Sequence, residues 1–139
     1  MSDMSNVSSP QACMAAFISA LIRRDMPAAL ELLTDDVALF YSNGTALWGK
    51  AQFEALTGAN WKRDDQYKYT TLDSIWLAQS ETAAAVIYTF AWSGVANGQE
   101  VGGGGRGTRV FRNDNTEGAS RPDRWRIAHE HLSVGQWKP

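Results

Sequence analysis

A single cysteine, Cys13, in 139 residues excludes an internal disulfide and a thiolate cluster for zinc. A lone cysteine usually packs as a small hydrophobe, so redox chemistry falls away. Excess positive charge is also missing. The formal net charge of -2 gives no general attraction to nucleic acid or anionic lipid, which sets both aside as partners, although Arg106, Arg109, Arg112, Arg121, Arg124 and Arg126 gather late in the chain. No stretch approaches the roughly 18 apolar residues of a membrane helix. Met1 to Ser9 lacks both the basic start and the apolar run of a secretory signal, so the expected location is the cytoplasm. Internal repeats are absent as well.

What is present is a chain that is 44% hydrophobic and 11% aromatic, enough for one core and too short for two ordinary domains. The expected division is an N-terminal tail over 1–11 and one domain over 12–139. Ser9 before Pro10 reads as a helix cap and first helical position, since proline gives up only an amide that has no partner there. Cys13, Ala16, Phe17, Ala20 and Leu21 recur at steps of three and four and mark one buried face. Asp25 caps a second, short helix that ends near Leu33. Val37 to Tyr41 is prone to form a strand, Ser42 to Thr45 is turn chemistry, and Ala46 to Trp48 pairs back. Gly49 to Gly58 reads as a third helix that buries Phe53 and Leu56.

After Asp65 the hydrophobic period changes to two. Strands are expected over Tyr67–Ala78, Thr82–Ser93, Thr108–Arg112 and Trp125–Ser133, with a polar loop from Asn113 to Asp123. In the second of these strands Val86, Tyr88, Phe90 and Trp92 alternate with Ala85, Ile87, Thr89 and Ala91, so both faces need cover. The order predicts an α+β layer fold, with helices against one face of a curved antiparallel sheet.

The motifs each carry two readings. Strict alternation places Trp125, Ile127, His129, His131 and Ser133 on one face of the last strand and Arg126, Ala128, Glu130 and Leu132 on the other. A His-x-His pair lacks the ligand count of a metal site, so no metal is expected. The run Val101 to Gly107 looks like a phosphate loop, but a strand follows it where a helix N-terminus is needed; the glycines therefore bend the sheet or form a mobile rim. Asp35-Asp36 and Arg63-Asp64-Asp65 read as carboxylates that bond turn amides. Glu130, an acid in mid-strand, is costly to bury without a partner, and Arg109 is the candidate counter-ion. The two form either a structural pair or the polar floor of a ligand cavity.

Leu33-Thr-Asp-Asp-Val37, Asn43-Gly-Thr-Ala-Leu-Trp-Gly-Lys50, Gly107-Thr-Arg-Val-Phe-Arg112 and the closing Trp125 to Ser133 together resemble the nuclear transport factor 2-like superfamily, nearest its SnoaL-like branch and the association domain of calcium/calmodulin-dependent protein kinase II. The resemblance covers nearly all of the chain from Ala12. It implies a cystatin-like cone, in which three helices pack on a strongly curved, antiparallel or mixed sheet that encloses a pocket, and a homodimer formed through the sheet's outer surface. It places Arg109 in the cavity. Leu132 stands where the kinase domain has a second cavity arginine. With Leu132 inward, Glu130, Ala128 and Arg126 follow by strand parity, and both histidines face out. The implied function is binding of a small hydrophobic or anionic ligand, with isomerase- or polyketide-cyclase-like chemistry on a hydrophobic carbonyl compound and no cofactor. Glu130 is the candidate base and Tyr88 or Tyr41 the candidate donor to an oxyanion. Arg109, Tyr41, Trp48, Phe53, Trp92, Ala128 and Leu132 are candidates for ligand binding. The alternative is a non-catalytic oligomerising or ligand-sensing domain.

Overall fold

Helix α1 (Pro10–Arg23) starts where the serine-proline pair puts it: the Ser9 hydroxyl accepts from the Ala12 amide at 3.0 Å. The computed structural model describes residues 8–114 and 123–137; residues 1–7 of the expected N-terminal tail and 115–122 of the expected polar loop, with Arg121 of the arginine group, lie outside them, while Pro10 and Gln11 of that tail belong to α1. Of the face expected in α1, Cys13, Phe17 and Ala20 are buried and Ala16 and Leu21 partly so, and Met14 is buried with them. Arg24 ends the helix in a left-handed conformation (φ 57°). Helix α2 (Met26–Glu31) is capped by Asp25, which accepts from the Ala28 amide at 3.1 Å. It stops two residues short of Leu33, because Leu33 already belongs to the sheet.

Six strands follow in one sheet: β1 (Leu33–Phe40), β2 (Ala46–Trp48), and, after helix α3 (Lys50–Arg63), β3 (Asp64–Gln79), β4 (Ala83–Ala96), β5 (Gln99–Asn113) and β6 (Trp125–Ser133). Their order is β2-β1-β6-β5-β4-β3, antiparallel throughout except for the parallel pair β1 and β6. This is the expected α+β architecture. Helix α3 runs five residues beyond Gly58. Its last turn is held by Arg24, whose guanidinium donates to the carbonyls of Trp61 (2.5 Å) and Asp64, groups that a helix end otherwise leaves orphaned.

Two expectations about β5 and β6 are corrected. The glycine run is not a rim: it lies within β5 and pairs with β4 without interruption from Gln99 to Arg112. Gly103 faces Trp92, Gly105 faces Phe90 and Gly107 faces Tyr88 across the two strands. A Cβ on Gly107 would stand 2.6 Å from the Tyr88 ring, and one on Gly103 would stand 2.9 Å from the Trp92 indole nitrogen. The glycines are seats for rings on the neighbouring strand, and bare backbone is what lets those rings lie down.

Strict alternation also fails in β6. Phe111 pairs with Ile127 but Val110 pairs with His129, so Ala128 is the extra residue of a β-bulge. Trp125 and Ile127 point to the helix side before it, and Glu130 and Leu132 do so after it. A similar irregularity in β3, where Asp73 has φ 56°, brings Trp76 onto the core side against Phe111 (ring centroids 5.4 Å apart), although simple parity separates it from Tyr69. The core therefore lies between the inner face of the sheet and α1, with Phe17, Leu33, Val37, Leu39, Val86, Phe111 and Ile127 all nearly inaccessible.

Candidate functional site

Arg109 on β5 and Glu130 on β6 are direct cross-strand partners, 1% and 6% exposed. The guanidinium Nε donates to Glu130 Oε2, and the Tyr88 hydroxyl donates to the same oxygen at 2.9 Å. Arg109 Nη2 donates to the Tyr69 hydroxyl at 3.2 Å. The flat cation also lies over two rings, 4.9 Å from the centroid of Tyr88 and 5.4 Å from that of Phe17. Its third nitrogen, Nη1, is buried without a partner, which is unfavourable by about 1–3 kcal/mol unless something arrives to accept.

Arg109 and Glu130 form part of the wall of a cavity of about 550 Å³, within the usual size range for small-molecule sites. The wall is largely aromatic: Phe17 from α1, Phe53 and Trp61 from α3, Tyr67 and Tyr69 from β3, Phe90 and Trp92 from β4, and Tyr41 after β1. Leu132 lies beside Glu130. The fold thus brings six of the sequence candidates together: Arg109, Glu130, Tyr41, Phe53, Trp92 and Leu132. Three others lie elsewhere. Trp48 is 65% exposed on the short β2 and does not line the cavity. Ala128 is the bulge residue, so it leaves the inward alternation that parity assigned to it, as does Arg126. Tyr88 does not line this cavity, and its hydroxyl donates to Glu130, so it positions the acid.

Both histidines face outward. Phe40 packs edge-on against His129 and His131, with centroids 5.0 and 5.4 Å away. His129 Nδ1 lies 2.7 Å from the Ala38 carbonyl, which can only accept and so fixes the ring proton on Nδ1. Among the described residues, no group of three or more His, Cys, Asp or Glu side chains is placed to hold a metal. Asp35 and Asp36 are corrected from turn ligands to ion-pair partners, of Lys50 at 3.4 Å and Arg112 at 2.5 Å. The hydrogen bond from Arg112 holds the Asp36 carboxyl below the usual range.

Asp64 is the residue that sequence reading misplaced most. It is nearly buried where α3 meets β3 and lines the cavity, with its carboxylate 3.6 Å from Arg63. Tyr69 and Phe90 were legible as strand residues, but nothing local marks them as cavity wall.

All four tyrosines of the chain stand in or beside this site, and burial raises every one. Tyr69 is pushed up to about 12 by burial, with Arg109 opposing and Glu130 adding. An unfolded chain ionises its tyrosines near pH 10. The stability tied to Tyr69 is therefore fully present below about pH 10 and is lost as pH rises through about 12, and the other three tyrosines, raised further, extend the loss to higher pH. In an alkaline titration, tyrosinate absorbance is expected to lag behind that of free tyrosine and then to appear together with loss of helical circular dichroism. Smooth titration of all four near pH 10 in folded protein would show the site to be wet.

The SnoaL-like domain family model matches residues 11–136. No curated protein sequence matches the chain. Among solved structures, an NTF2-like superfamily protein from Salmonella enterica superposes with TM-score 0.76 at 16% identity, covering 98% of this chain and 93% of that one. A ketosteroid isomerase-like protein from Erwinia carotovora gives TM-score 0.73 at 18% identity, covering 95% and 98%. The association domain of CaMKII from C. elegans gives 0.67 at 20%, covering 87% and 89%. At these identities the likeness is one of fold.

Proposed function

We propose, from the premise that the chain belongs to the SnoaL-like domain family, that its cavity binds a small hydrophobic carbonyl compound and that Glu130 moves a proton at the carbon beside the carbonyl. The observation that carries this reading is the unpartnered Nη1 of Arg109, a buried donor of a residue that lines the aromatic cavity and whose other two nitrogens are already engaged. A ligand oxygen is what such a donor lacks. Because Glu130 already balances the charge of Arg109, a neutral carbonyl suffices as that acceptor.

The chemistry follows from the two ends of the pair. Glu130 Oε2 is held by Arg109 and Tyr88, while Oε1 takes part in no hydrogen bond among the described residues. Oε1 takes the proton as the C–H bond breaks, the electron pair moves into a new C=C bond, and the carbonyl oxygen becomes an enolate next to Nη1. Returning the proton to another carbon gives isomerisation; attack on a second carbonyl of the same molecule closes a ring. The raised tyrosines Tyr41 and Tyr69 remain protonated and polar without adding charge. No cofactor enters this scheme.

The test is deuterium exchange from D₂O into the acetyl group of a biphenyl methyl ketone, followed by NMR. The protein should accelerate exchange above the buffer rate, and a ketone that neither binds nor exchanges would overturn the reading. Assembly belongs to the same proposal: the outer sheet face, where Phe40 is 42% exposed between the two histidines, supplies a homodimer surface. Light scattering should give twice the chain mass. A ring of many copies would instead favour the non-catalytic assembly reading.

A further inference from the structure

The cavity has a second polar end, formed by a residue that the proton-transfer scheme does not use. Asp64 opens β3 directly after α3 and is 8% exposed, and its backbone carbonyl is pinned by the Arg24 guanidinium. The nearest partner of its carboxylate, Arg63 Nε, stands 3.6 Å away, beyond hydrogen-bonding range, and Arg63 Nη2 is held by Asn60 at 2.8 Å. The carboxylate makes no hydrogen bond among the described residues, and a ligand in the cavity that it lines can supply one. Five residues further along β3, Tyr69 grips Arg109. At about 3.3 Å per residue, the separation along the strand is at most about 16 Å, and the register shift between Asp65 and Lys68 shortens it. Between the two ends, Tyr67, Tyr69 and Phe90 stack nearly parallel, with interplanar angles of 15° and 19°. They form a flat wall.

We propose that Asp64 is a specificity-determining acceptor, and that the ligand is a flat, two-ring aromatic ketone with its carbonyl at Arg109 and a neutral hydroxyl at its far end donating to Asp64. This rests on the carbonyl-binding reading above. A hydroxyl fits better than an ammonium because the Arg63 charge already stands beside the carboxylate and would repel a second cation. The stacked rings suit a planar ligand, and an upper bound of about 16 Å along the strand leaves room for two linked rings.

The experiment compares three probes by calorimetry: a biphenyl methyl ketone, the same ketone with a para-hydroxyl on its far ring, and the corresponding amine in its protonated form. A hydrogen bond to a charged group contributes about 1.5–3 kcal/mol, so the hydroxy ketone should bind about 10- to 100-fold more tightly than the plain ketone. In Asp64→Ala the ratio should fall to about 2-fold or less, whereas Asp64→Asn, which keeps an acceptor oxygen, should retain part of it. Reading the ratio within each variant cancels any general loss of affinity or stability. Equal binding of the plain and hydroxy ketones to the unaltered protein, a ratio that survives Asp64→Ala, or tighter binding of the cation would each overturn the proposal while leaving the carbonyl site standing. Failure of every ketone to bind would overturn both.

Discussion

Replacing Arg109 with alanine is expected to destabilise the protein by about 3–5 kcal/mol, the usual consequence of removing one partner of a buried ion pair. Glu130 would keep its Tyr88 hydrogen bond but lose the cation that allows a carboxylate to sit there at 6% exposure. The stacking of the guanidinium on Phe17 and Tyr88 goes with it, leaving a void behind the cavity wall. Urea unfolding gives the value. The pair itself need not be stabilising, since two well-packed apolar side chains often replace a buried ion pair without loss. Arg109→Met combined with Glu130→Leu should therefore recover most of the stability while lacking all ketone exchange activity. If Arg109→Ala alone shifts stability by less than about 1 kcal/mol, water reaches the pair and the floor of the site is not dry.

Glu130→Gln separates chemistry from architecture. The amide oxygen can still accept from Arg109 Nε and from the Tyr88 hydroxyl, so the fold and the seat of the carbonyl should survive. What the amide lacks is a basic oxygen. A positioned general base contributes about 10²- to 10⁴-fold, and exchange into the bound ketone should fall by that order while its dissociation constant moves only a few-fold. The decisive measurement is the exchange rate at saturating ketone. An undiminished rate in the glutamine variant would remove Glu130 from the chemistry, and a collapse in binding alone would make it a structural residue.

Much of the fold can be read from local chemistry. Ser9-Pro10 and Asp25 define helix starts because a cap is a contact within four residues, and Trp125 to Ser133 matches β6 from end to end. Arg109 and Glu130 stood out because an acid and a base in apolar strands require an explanation. Other features depend on partners far away in sequence. The glycines of β5 read as a breaker until Trp92, Phe90 and Tyr88 are placed across from them. Helix α3 outlasts Gly58 because Arg24, more than thirty residues earlier, holds its final carbonyls. Asp64 looked like turn chemistry because no local pattern says that a helix end will be tucked under a sheet. Trp48, a candidate for ligand binding, is exposed because β2 is a short edge strand with little to cover it.

The irregular step in β6 has a consequence for how such a site can be gained or lost. Such a site is not lost with Ala128: were that residue deleted, Ile127 would still pair with Phe111, His129 with Val110 and Glu130 with Arg109, and the ladder would close into plain alternation with the acid still inward. One residue of slack just ahead of the acid thus lets chain length vary by a codon without moving the base, and related chains one residue shorter at this position keep the same acid facing the same arginine.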